Sequence, residues 1–271
     1  MLIARLALAL AILAVVSLAL TGHAGIGGPN GHAGTGPGGH AATATFSQPG
    51  AAMDELSPNW GGYVATGTTF RYVTVTFNVS VLDCAKTPGT AKNPTLVGEW
   101  VGLDSTTVEQ DGIEGECDGF HAEYSAWYEM YPKPAVYPDI SVSGGDTIQA
   151  SVRYVASKDE YEVVLTDLAN NQGFTVWARC GKRSCTNSSA EVITEAPGKP
   201  SGGYFPLADS GTISYTNIAV TDAAGQLGTF TSADWQTTRF VMEDGSGRVK
   251  TAIGDLTDNG AAFDTFWKRE T

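Results

Sequence analysis

The strongest constraint on this fold is the alternation of apolar and polar side chains along several short segments of the chain. Between residues 71 and 81 the odd-numbered positions are mostly Val and Phe, whereas the even-numbered positions carry Tyr, Thr, Asn and Ser. Because successive side chains of a strand point to opposite faces, this pattern predicts a half-buried strand. Similar segments follow at residues 122–131, 147–156, 161–168, 174–178, 190–195, 212–221 and 239–242.

Turn signals rich in Gly, Asn and Asp separate these segments, for example at residues 143–146, 170–173 and 244–247. No long segment has the helical period, and 17% of the residues are charged while 33 are Gly. This composition favours strands and turns over helices. The 271 residues are enough for one large domain. We therefore predict an all-β domain, either a β-sandwich or a barrel.

The formal net charge of −13 limits the partners that we expect. Phosphate binding needs clustered Lys and Arg, so nucleic acid is not an expected partner. Protonation of the many carboxylates would reduce their mutual repulsion. The composition is therefore compatible with work in acid.

The N-terminus has the pattern of an export signal. Arg5 precedes an apolar run at residues 6–20, and Gly22 and Ala24 supply the small residues of a cleavage site. The run is short for a membrane span, so we predict a secretory signal peptide at residues 1–24, with an uncleaved anchor as the alternative. Residues 25–56, rich in Gly, Ala, His, Thr and Pro, predict a flexible leader or pro-segment. The folded domain is predicted at residues 57–271 of a secreted, extracellular protein that has no membrane partner after signal removal.

Four cysteines, Cys84, Cys117, Cys180 and Cys185, lie in the predicted domain. An even number in an exported chain predicts disulfides, and three pairings are possible. We favour Cys84–Cys117 and Cys180–Cys185 because both close local loops. The spacings do not match the paired C-x-x-C motifs of zinc sites, so no metal site is predicted.

The stretch at residues 94–112, PTLVGEWVGLDSTTVEQDG, predicts a strand with an unusual face. Gly98, Trp100, Gly102 and Asp104 share that face at period two. Two further strands carry acids on one face: at positions 123–131 they alternate with aromatic residues, and at positions 191–195 Glu191 and Glu195 flank Ile193. Acids on the core side of a strand would carry a large desolvation cost, so we infer that these faces line an open groove on one sheet. The alternative is a solvated sheet face.

Several chemistries are excluded by the residues present. His121 is the one histidine of the predicted domain, and its neighbours give no sign of a Ser-His-Asp or Cys-His arrangement. The sequence has no H-E-x-x-H motif, no phosphate loop and no dinucleotide-binding glycine pattern. Carboxylates and amides remain as candidate catalytic groups, and no cofactor is predicted.

From about Asn59 to the C-terminus, the sequence resembles the glutamic peptidases, or eqolisins. The matching motifs, in order, are NWGG at 59–62, WVGLD at 100–104, VEQ at 108–110 with Gly112, AWYEMYP at 126–132, and AE at 190–191 with Glu195. The resemblance implies a sandwich of two large antiparallel sheets, bent as in concanavalin-like lectins, with the site on the concave face. It also implies an acid-active, pepstatin-insensitive endopeptidase that acts on proteins or peptides.

The resemblance also assigns roles to individual residues. Gln110 and Glu191 correspond to the catalytic pair of the family. The residues expected to bind substrate are Trp60, Trp100, Glu129 and Tyr131, and those expected to orient Gln110 or Glu191 are Asp104 and Glu195. The family usually has Trp after the catalytic Glu, whereas this chain has Val192. We expect a monomer without metal or cofactor.

Two other functions fit the same strand faces. A glycoside hydrolase could use Glu129 and Glu191 as a carboxylate pair about 5–10 Å apart. A non-catalytic carbohydrate-binding module could stack sugars on the Trp and Tyr side chains. Acid proteolysis that depends on Gln110 and Glu191 would separate the peptidase from both.

Overall fold

The computed structural model describes residues 52–182 and 184–271, and the described chain is almost entirely β-structure. The predicted signal peptide and most of the predicted leader lie outside the described residues. The strands are β1 Met53–Ser57, β2 Trp60–Thr66, β3 Phe70–Asn78, β4 Thr95–Leu103, β5 Glu109–Asp118, β6 His121–Met130, β7 Thr147–Val155, β8 Glu160–Asp167, β9 Gly173–Ala178, β10 Ser189–Glu195, β11 Thr212–Asp222, β12 Leu227–Gly228, β13 Gln236–Glu243, β14 Val249–Ile253 and β15 Phe263–Trp267. In the described residues we find no helix that could reach across a bilayer.

Hydrogen bonding links the strands in the order β6-β5-β4-β10-β2-β13-β14-β15-β11-β3-β7-β8-β9, with β1 on β13 and β12 on β11. The pairings along this path are antiparallel, whereas β1 runs parallel to β13. β4 and β5 contact β7, although they are far from it in the hydrogen-bonding order, so the sheet folds over into two packed layers. The predicted all-β antiparallel sandwich is confirmed, with β14 and β15 joining its two layers into one sheet.

The alternation of the sequence explains the core between the layers. Val73 and Val75 of β3 face Val97 and Val101 of β4 in one apolar cluster, and all four are fully buried. Burial of such side chains is worth about 1.5–3 kcal/mol each. The period-two pattern therefore fixes which face of each strand turns inward.

Acidic side chains also lie on the core side, which the desolvation argument did not lead us to expect. Glu99 of β4 is buried, and its Oε1 accepts a hydrogen bond from the Ser80 amide at 3.0 Å. Burial raises the pKa of Glu99 to about 7 and the pKa of Asp111 of β5 well above its ordinary value. Both carboxyls can be neutral in acid, which removes most of the cost of burying them.

Both disulfides form with the favoured pairing. Cys84 is bonded to Cys117 and Cys180 to Cys185. The first ties the segment before β4 to the end of β5, and the second closes the short loop after β9.

The structure extends the predicted strands at several points. Met53–Ser57 forms β1 in the last residues of the segment assigned to the leader, because its backbone pairs with β13. Strand β3 begins and ends earlier than the alternation indicated, at Phe70 and Asn78, and Val81 is exposed. The strands missing from the predicted segments, besides β1, are β2, β5, β12, β14 and β15.

Candidate active site

The predicted catalytic residues lie in the layer that contains β6, β5, β4, β10 and β2. They are on the face of this layer that points away from the inter-layer core. Strand β4 runs between β5 and β10, and Gly102 is paired with Gln110 on one side and with Glu191 on the other. Two strand spacings of about 4.8 Å separate the Cα atoms of Gln110 and Glu191 by about 10 Å. We call this surface the site face; it carries Trp60, Trp100, Gly102, Gln110, Trp127, Glu129, Glu191 and Ile193.

Gly102 puts no side chain between the two candidate catalytic residues. A Cβ atom at this position would lie 3.2 Å from the Gln110 Cβ and 3.1 Å from the six-membered ring of Trp100. Both distances are too short for comfortable packing. A residue with a side chain would therefore crowd the gap over β4, where the Gln110 and Glu191 side chains can converge.

Gln110 is held by Glu129 of the neighbouring strand β6. The Gln110 Nε2 donates a hydrogen bond to Glu129 Oε2 at 2.9 Å. Burial raises the pKa of Glu129 to about 9, with a smaller contribution from Glu195. A primary amide has two N–H bonds, so this contact leaves the second N–H of Gln110 for another acceptor. The structure thus places Glu129 in contact with the amide, not simply along the wall of a groove.

Glu191 is completely buried, and neither of its carboxyl oxygens has a hydrogen-bond partner in the part of the chain that the structure describes. Burial raises the pKa of Glu191 well above its ordinary value; the Ser189 side chain opposes this rise and the Asp104 carboxylate adds to it. The two oxygens are therefore the least satisfied acceptors of the site, in a setting that favours proton uptake.

Asp104 joins the turn after β4 to the segment that enters β10. Its Oδ2 accepts hydrogen bonds from Thr186 Oγ1 and the Asn187 amide, each at 2.9 Å, and from the Thr186 amide. Burial opposes ionisation of Asp104, but these hydrogen bonds outweigh it and lower the pKa. The predicted common face of Trp100 and Asp104 is wrong, because the strand ends at Leu103 and Asp104 has a φ of 68°.

Glu195 contacts an aromatic residue and not the catalytic pair. Its Oε2 accepts a hydrogen bond from Trp100 Nε1 at 2.8 Å, and its Oε1 accepts one from Asn59 Nδ2 at 2.9 Å. We find no hydrogen bond from Glu195 to Gln110 or Glu191 in the described residues. Through hydrogen bonds Glu195 can therefore act on the site only by way of Trp100 or Asn59, and through its charge it also acts on Glu129.

The predicted open groove is wrong, because the site face is covered. Trp60, Trp100 and Gln110 are each at most 1% exposed. Residues 131–137, which we call the cover segment, turn back and pair with the edge strand β6 through two backbone hydrogen bonds between Tyr128 and Val136. Ala135 and Tyr137 of this segment pack against the aromatic cluster of the site face. The acids and aromatics of the site face are therefore buried, with Ala135 and Tyr137 among the side chains packed against them, instead of facing water.

The remaining predicted residues fall around this centre. Trp60 meets Trp100 edge-on, with ring centroids 5.1 Å apart. Tyr131 is half-buried where β6 passes into the cover segment. Val192 points to the opposite side of β10 from Glu191, into the inter-layer core. The departure from the family's Trp therefore changes core packing and not the site face.

Sequence reasoning missed Glu114, which is buried on the site face beside Tyr137. It lies four residues after Gln110 on β5 and is paired with Gly98, which in turn is paired with Glu195. Burial raises the pKa of Glu114 to about 7. Burial and the nearby Glu114 carboxylate both raise the pKa of Tyr137. Glu114 continues the period-two pattern of Gln110 and Gly112, so the sequence could have indicated that all three residues share one face of β5.

One group of side chains has the geometry of a metal site but not the chemistry. Ligand atoms of Glu109, Cys180 and Cys185 lie within 4.8 Å of one another. The two sulfurs are bonded to each other, so neither is a thiolate. His121, the one histidine of the described residues, is exposed at the β5–β6 hairpin.

Comparisons with known proteins agree on one family. A model of the Peptidase A4 family matches residues 58–256. Aspergillopepsin-2 of Aspergillus niger is 26% identical over 223 residues, which are 75% of this chain and 77% of that protein. Scytalidopepsin B of Scytalidium lignicola is 32% identical over 157 residues, which are 55% of this chain and 56% of that protein.

Solved structures give the same result. Scytalido-glutamic peptidase with a transition state analog inhibitor superposes with a TM-score of 0.62 and 25% identity, covering 78% of this chain and 99% of that one. Aspergilloglutamic peptidase from Aspergillus niger superposes with a TM-score of 0.56 and 25% identity, covering 64% of this chain and 99% of that one.

Proposed function

The chain belongs to the peptidase A4 family, the glutamic peptidases, and on this premise we propose that Gln110 and Glu191 hydrolyse a peptide bond with an activated water. The observation that carries the proposal is the pairing of both residues with Gly102, which puts the two side chains on one face of the sheet, on either side of a residue that has no side chain. The enzyme is a glutamic-type endopeptidase. The roles of the two residues are the proposal.

Glu191 is the general base in this mechanism. Its unpartnered oxygens can accept a hydrogen bond from water. The raised pKa makes the ionised form a stronger base than an ordinary carboxylate, and because the same rise favours the protonated form in acid, only the ionised fraction of the enzyme starts the reaction there. As the water oxygen bonds to the scissile carbonyl carbon, its proton passes to Glu191. The protonated carboxyl then gives this proton to the leaving nitrogen while the C–N bond breaks. No covalent enzyme intermediate and no cofactor take part.

Gln110 stabilises the oxyanion. One N–H of its amide is fixed on Glu129, and the other can donate to the carbonyl oxygen as negative charge develops there. A single donor of this kind is worth about 3–4 kcal/mol in the transition state. Glu129 thereby pre-orients the donor, since an amide anchored at one N–H cannot rotate freely.

The substrates are proteins or peptides, which would lie along the site face against Trp60, Trp100 and Tyr131. Because Trp60 and Trp100 are buried, we expect substrate to enter where Ala135 and Tyr137 now pack. Protonation of the leaving amine is easier in acid, which supports an acidic working range. The signal-like N-terminus and the two disulfides support secretion. The net charge of −13 gives no support to a nucleic-acid partner, and the enzyme is proposed to be a monomer without a membrane partner.

The family favours the peptidase over the two other functions considered from the sequence. Glu129 and Glu191 lie on strands separated by β5 and β4, so their Cα atoms are about 14 Å apart. Glu129 is also occupied by Gln110. This arrangement gives no support to a glycosidase carboxylate pair, and a binding module would not need the Gln110–Glu129 contact.

The test is proteolysis of denatured casein or haemoglobin at acid pH, with and without pepstatin. We expect pepstatin-insensitive cleavage by the wild type, a loss of about 10²–10³-fold in kcat for Gln110→Ala, and a loss of about 10²–10⁴-fold for Glu191→Gln. Gln149→Ala and Glu162→Gln, on the outer face of β7 and β8, are the matched controls. Proteolysis that survives both site substitutions would reject the proposed dyad.

A further inference from the structure

We infer that Glu195 is a positioning residue that fixes the indole of Trp100 in one orientation, so that its six-membered ring forms the floor of the gap between Gln110 and Glu191. The inference rests on the proposed function of that pair. It replaces direct orientation of the pair by Glu195, because the structure gives Glu195 a hydrogen bond to Trp100 instead.

The Trp100 indole lies flat along its own strand, between two glycines. A Cβ on Gly98 would lie 3.6 Å from Trp100 Cδ1, in the five-membered ring, and a Cβ on Gly102 would lie 3.1 Å from Trp100 Cζ3, in the six-membered ring. The ring therefore spans from one glycine to the other. Its six-membered end lies beside Gly102, at the point where β4 carries no side chain between the catalytic pair.

The hydrogen bond to Glu195 decides which end of the indole lies there. Rotation about χ2 has two broad minima, so packing alone would allow the ring to turn over. A buried indole N–H needs an acceptor, and Glu195 Oε2 supplies it at 2.8 Å on the Gly98 side. Asn59 Nδ2 holds the other oxygen of Glu195 at 2.9 Å, so the acceptor is itself fixed.

Strand β4 has two glycines that are each flanked by polar side chains of β5 and β10. Glu114 and Glu195 flank Gly98 just as Gln110 and Glu191 flank Gly102. Of the two carboxyls at Gly98, it is Glu195 that accepts the bond from the indole. Without this anchor the ring can turn or tilt, and the depth of the gap that holds the water and the scissile carbonyl is no longer fixed. Such a change affects the reacting geometry more than the binding of the rest of the substrate.

The experiment compares Glu195→Leu, Glu195→Gln and Trp100→Phe in the full-length enzyme with a peptide substrate. We expect Glu195→Leu to lower kcat about 10–100-fold with KM within about 3-fold, and to change the near-ultraviolet circular dichroism of the indoles. Glu195→Gln keeps an acceptor for Trp100 Nε1 and should recover kcat to within about 3-fold of wild type. The exposed substitution Glu55→Leu on β1 is the control for a Glu→Leu change.

Trp100→Phe keeps a ring but removes the anchored N–H, and it should lose kcat to the same extent as Glu195→Leu. The double variant Trp100→Phe/Glu195→Gln should then lose no more than Trp100→Phe alone. If Glu195→Leu does not fold, this pair of variants still decides the question. Unchanged kcat in Glu195→Leu or Trp100→Phe, or a Glu195→Gln variant as impaired as Glu195→Leu, would overturn the inference. A wild-type enzyme without acid proteolysis would instead reject the proposed function.

Discussion

Gly102 matters to this site because of the side chain that it lacks. Its Cβ would lie 3.0 Å from Val108 Cγ1 and 3.2 Å from the Gln110 Cβ. The backbone itself does not require glycine here, because Gly102 is not among the residues with positive φ. The constraint is therefore the space beside the catalytic pair.

We expect Gly102→Ala to lower kcat about 10–100-fold, because the new methyl group displaces Gln110 or the Trp100 ring from the gap. Gly98→Ala is the matched control, because its new Cβ would have ordinary contacts of 3.6 Å or more. Gly98 also lies four residues before Gly102 on the same strand. Peptide hydrolysis, together with urea unfolding of both variants, checks the prediction. A Gly102→Ala enzyme with wild-type kcat would contradict it.

The charge on Asp104 should tune the pH dependence of catalysis. The Asp104 carboxylate raises the pKa of Glu191, and its own pKa is lowered, so it stays ionised in mild acid. Removing this charge with Asp104→Asn lowers the pKa of Glu191, so the base becomes available at lower pH. We expect the acid limb of kcat/KM to move towards lower pH by up to about 1 unit.

The measurement is the kcat/KM profile of Asp104→Asn between pH 2 and 6, with the exposed substitution Asp118→Asn as control. Loss of the buried acceptor should also cost about 1–3 kcal/mol of stability, so the profile is measured well below the unfolding temperature. An acid limb that stays in place or moves to higher pH would contradict the electrostatic argument.

At the scale of strands and loops, alternation predicted most of what holds the site together. It identified β3, β4, β6, β7, β8, β10 and β11 and the faces of β4 and β10 that carry Trp100 and Glu191. It did not predict the cover segment, because YPKPAVY at residues 131–137 has neither strand nor helix period. It also could not show that Asp104 leaves the face of Trp100, since a positive φ at that position has no signature in the pattern.

The two disulfides should differ in what their loss affects. Cys84–Cys117 closes a loop of 33 residues' separation and Cys180–Cys185 one of 5. Loop-closure entropy predicts a loss of about 4 kcal/mol on removing the first and about 2 kcal/mol on removing the second. The second lies nearer the site, because the Cys185 Sγ is 2.9 Å from Glu109 Oε1, next in sequence to Gln110.

We therefore expect Cys84→Ser/Cys117→Ser to lose more stability in urea, and Cys180→Ser/Cys185→Ser to lose more kcat relative to its loss of stability. Both pairs of substitutions are compared with the wild type at acid pH. Equal losses of stability, or a fully active Cys180→Ser/Cys185→Ser enzyme, would show that loop length and proximity to Glu109 do not govern these effects.

At the scale of the whole molecule, the unusual property is the number of carboxyls taken out of water. Burial raises the pKa to about 7 in Glu99 and Glu114, to about 8 in Glu195, and to about 9 in Glu109 and Glu129. Sequence reasoning treated acids as markers of solvent, because an ionised carboxylate in the core is prohibitively costly. In an acidic medium that premise fails, since the neutral acid is buried instead.

The sign of the pH dependence follows from these shifts. A carboxyl with a folded-state pKa above its unfolded value binds more protons when folded, so stability is full below about pH 4.5 and falls as pH rises towards 7–9. Each unit of pKa difference is worth about 1.4 kcal/mol. Asp54 and Asp104 have lowered pKa values and act in the opposite sense, but only as pH falls below about 4.

These buried carboxyls all act in the same direction, so we expect the enzyme to lose stability as pH rises from about 6 to 9 and to be most stable near pH 4. Thermal unfolding followed by circular dichroism from pH 3 to 9 measures this. Glu99→Gln/Asp111→Asn replaces two core carboxyls with neutral amides of similar shape and should flatten the decline, so that the variant is more stable than wild type at pH 7. The exposed pair Glu55→Gln/Asp139→Asn should leave the curve unchanged. A wild-type midpoint that is constant or rises between pH 4.5 and 8 would mean that these carboxyls are ionised in the folded protein, and the account of its core as a set of neutral acids would be wrong.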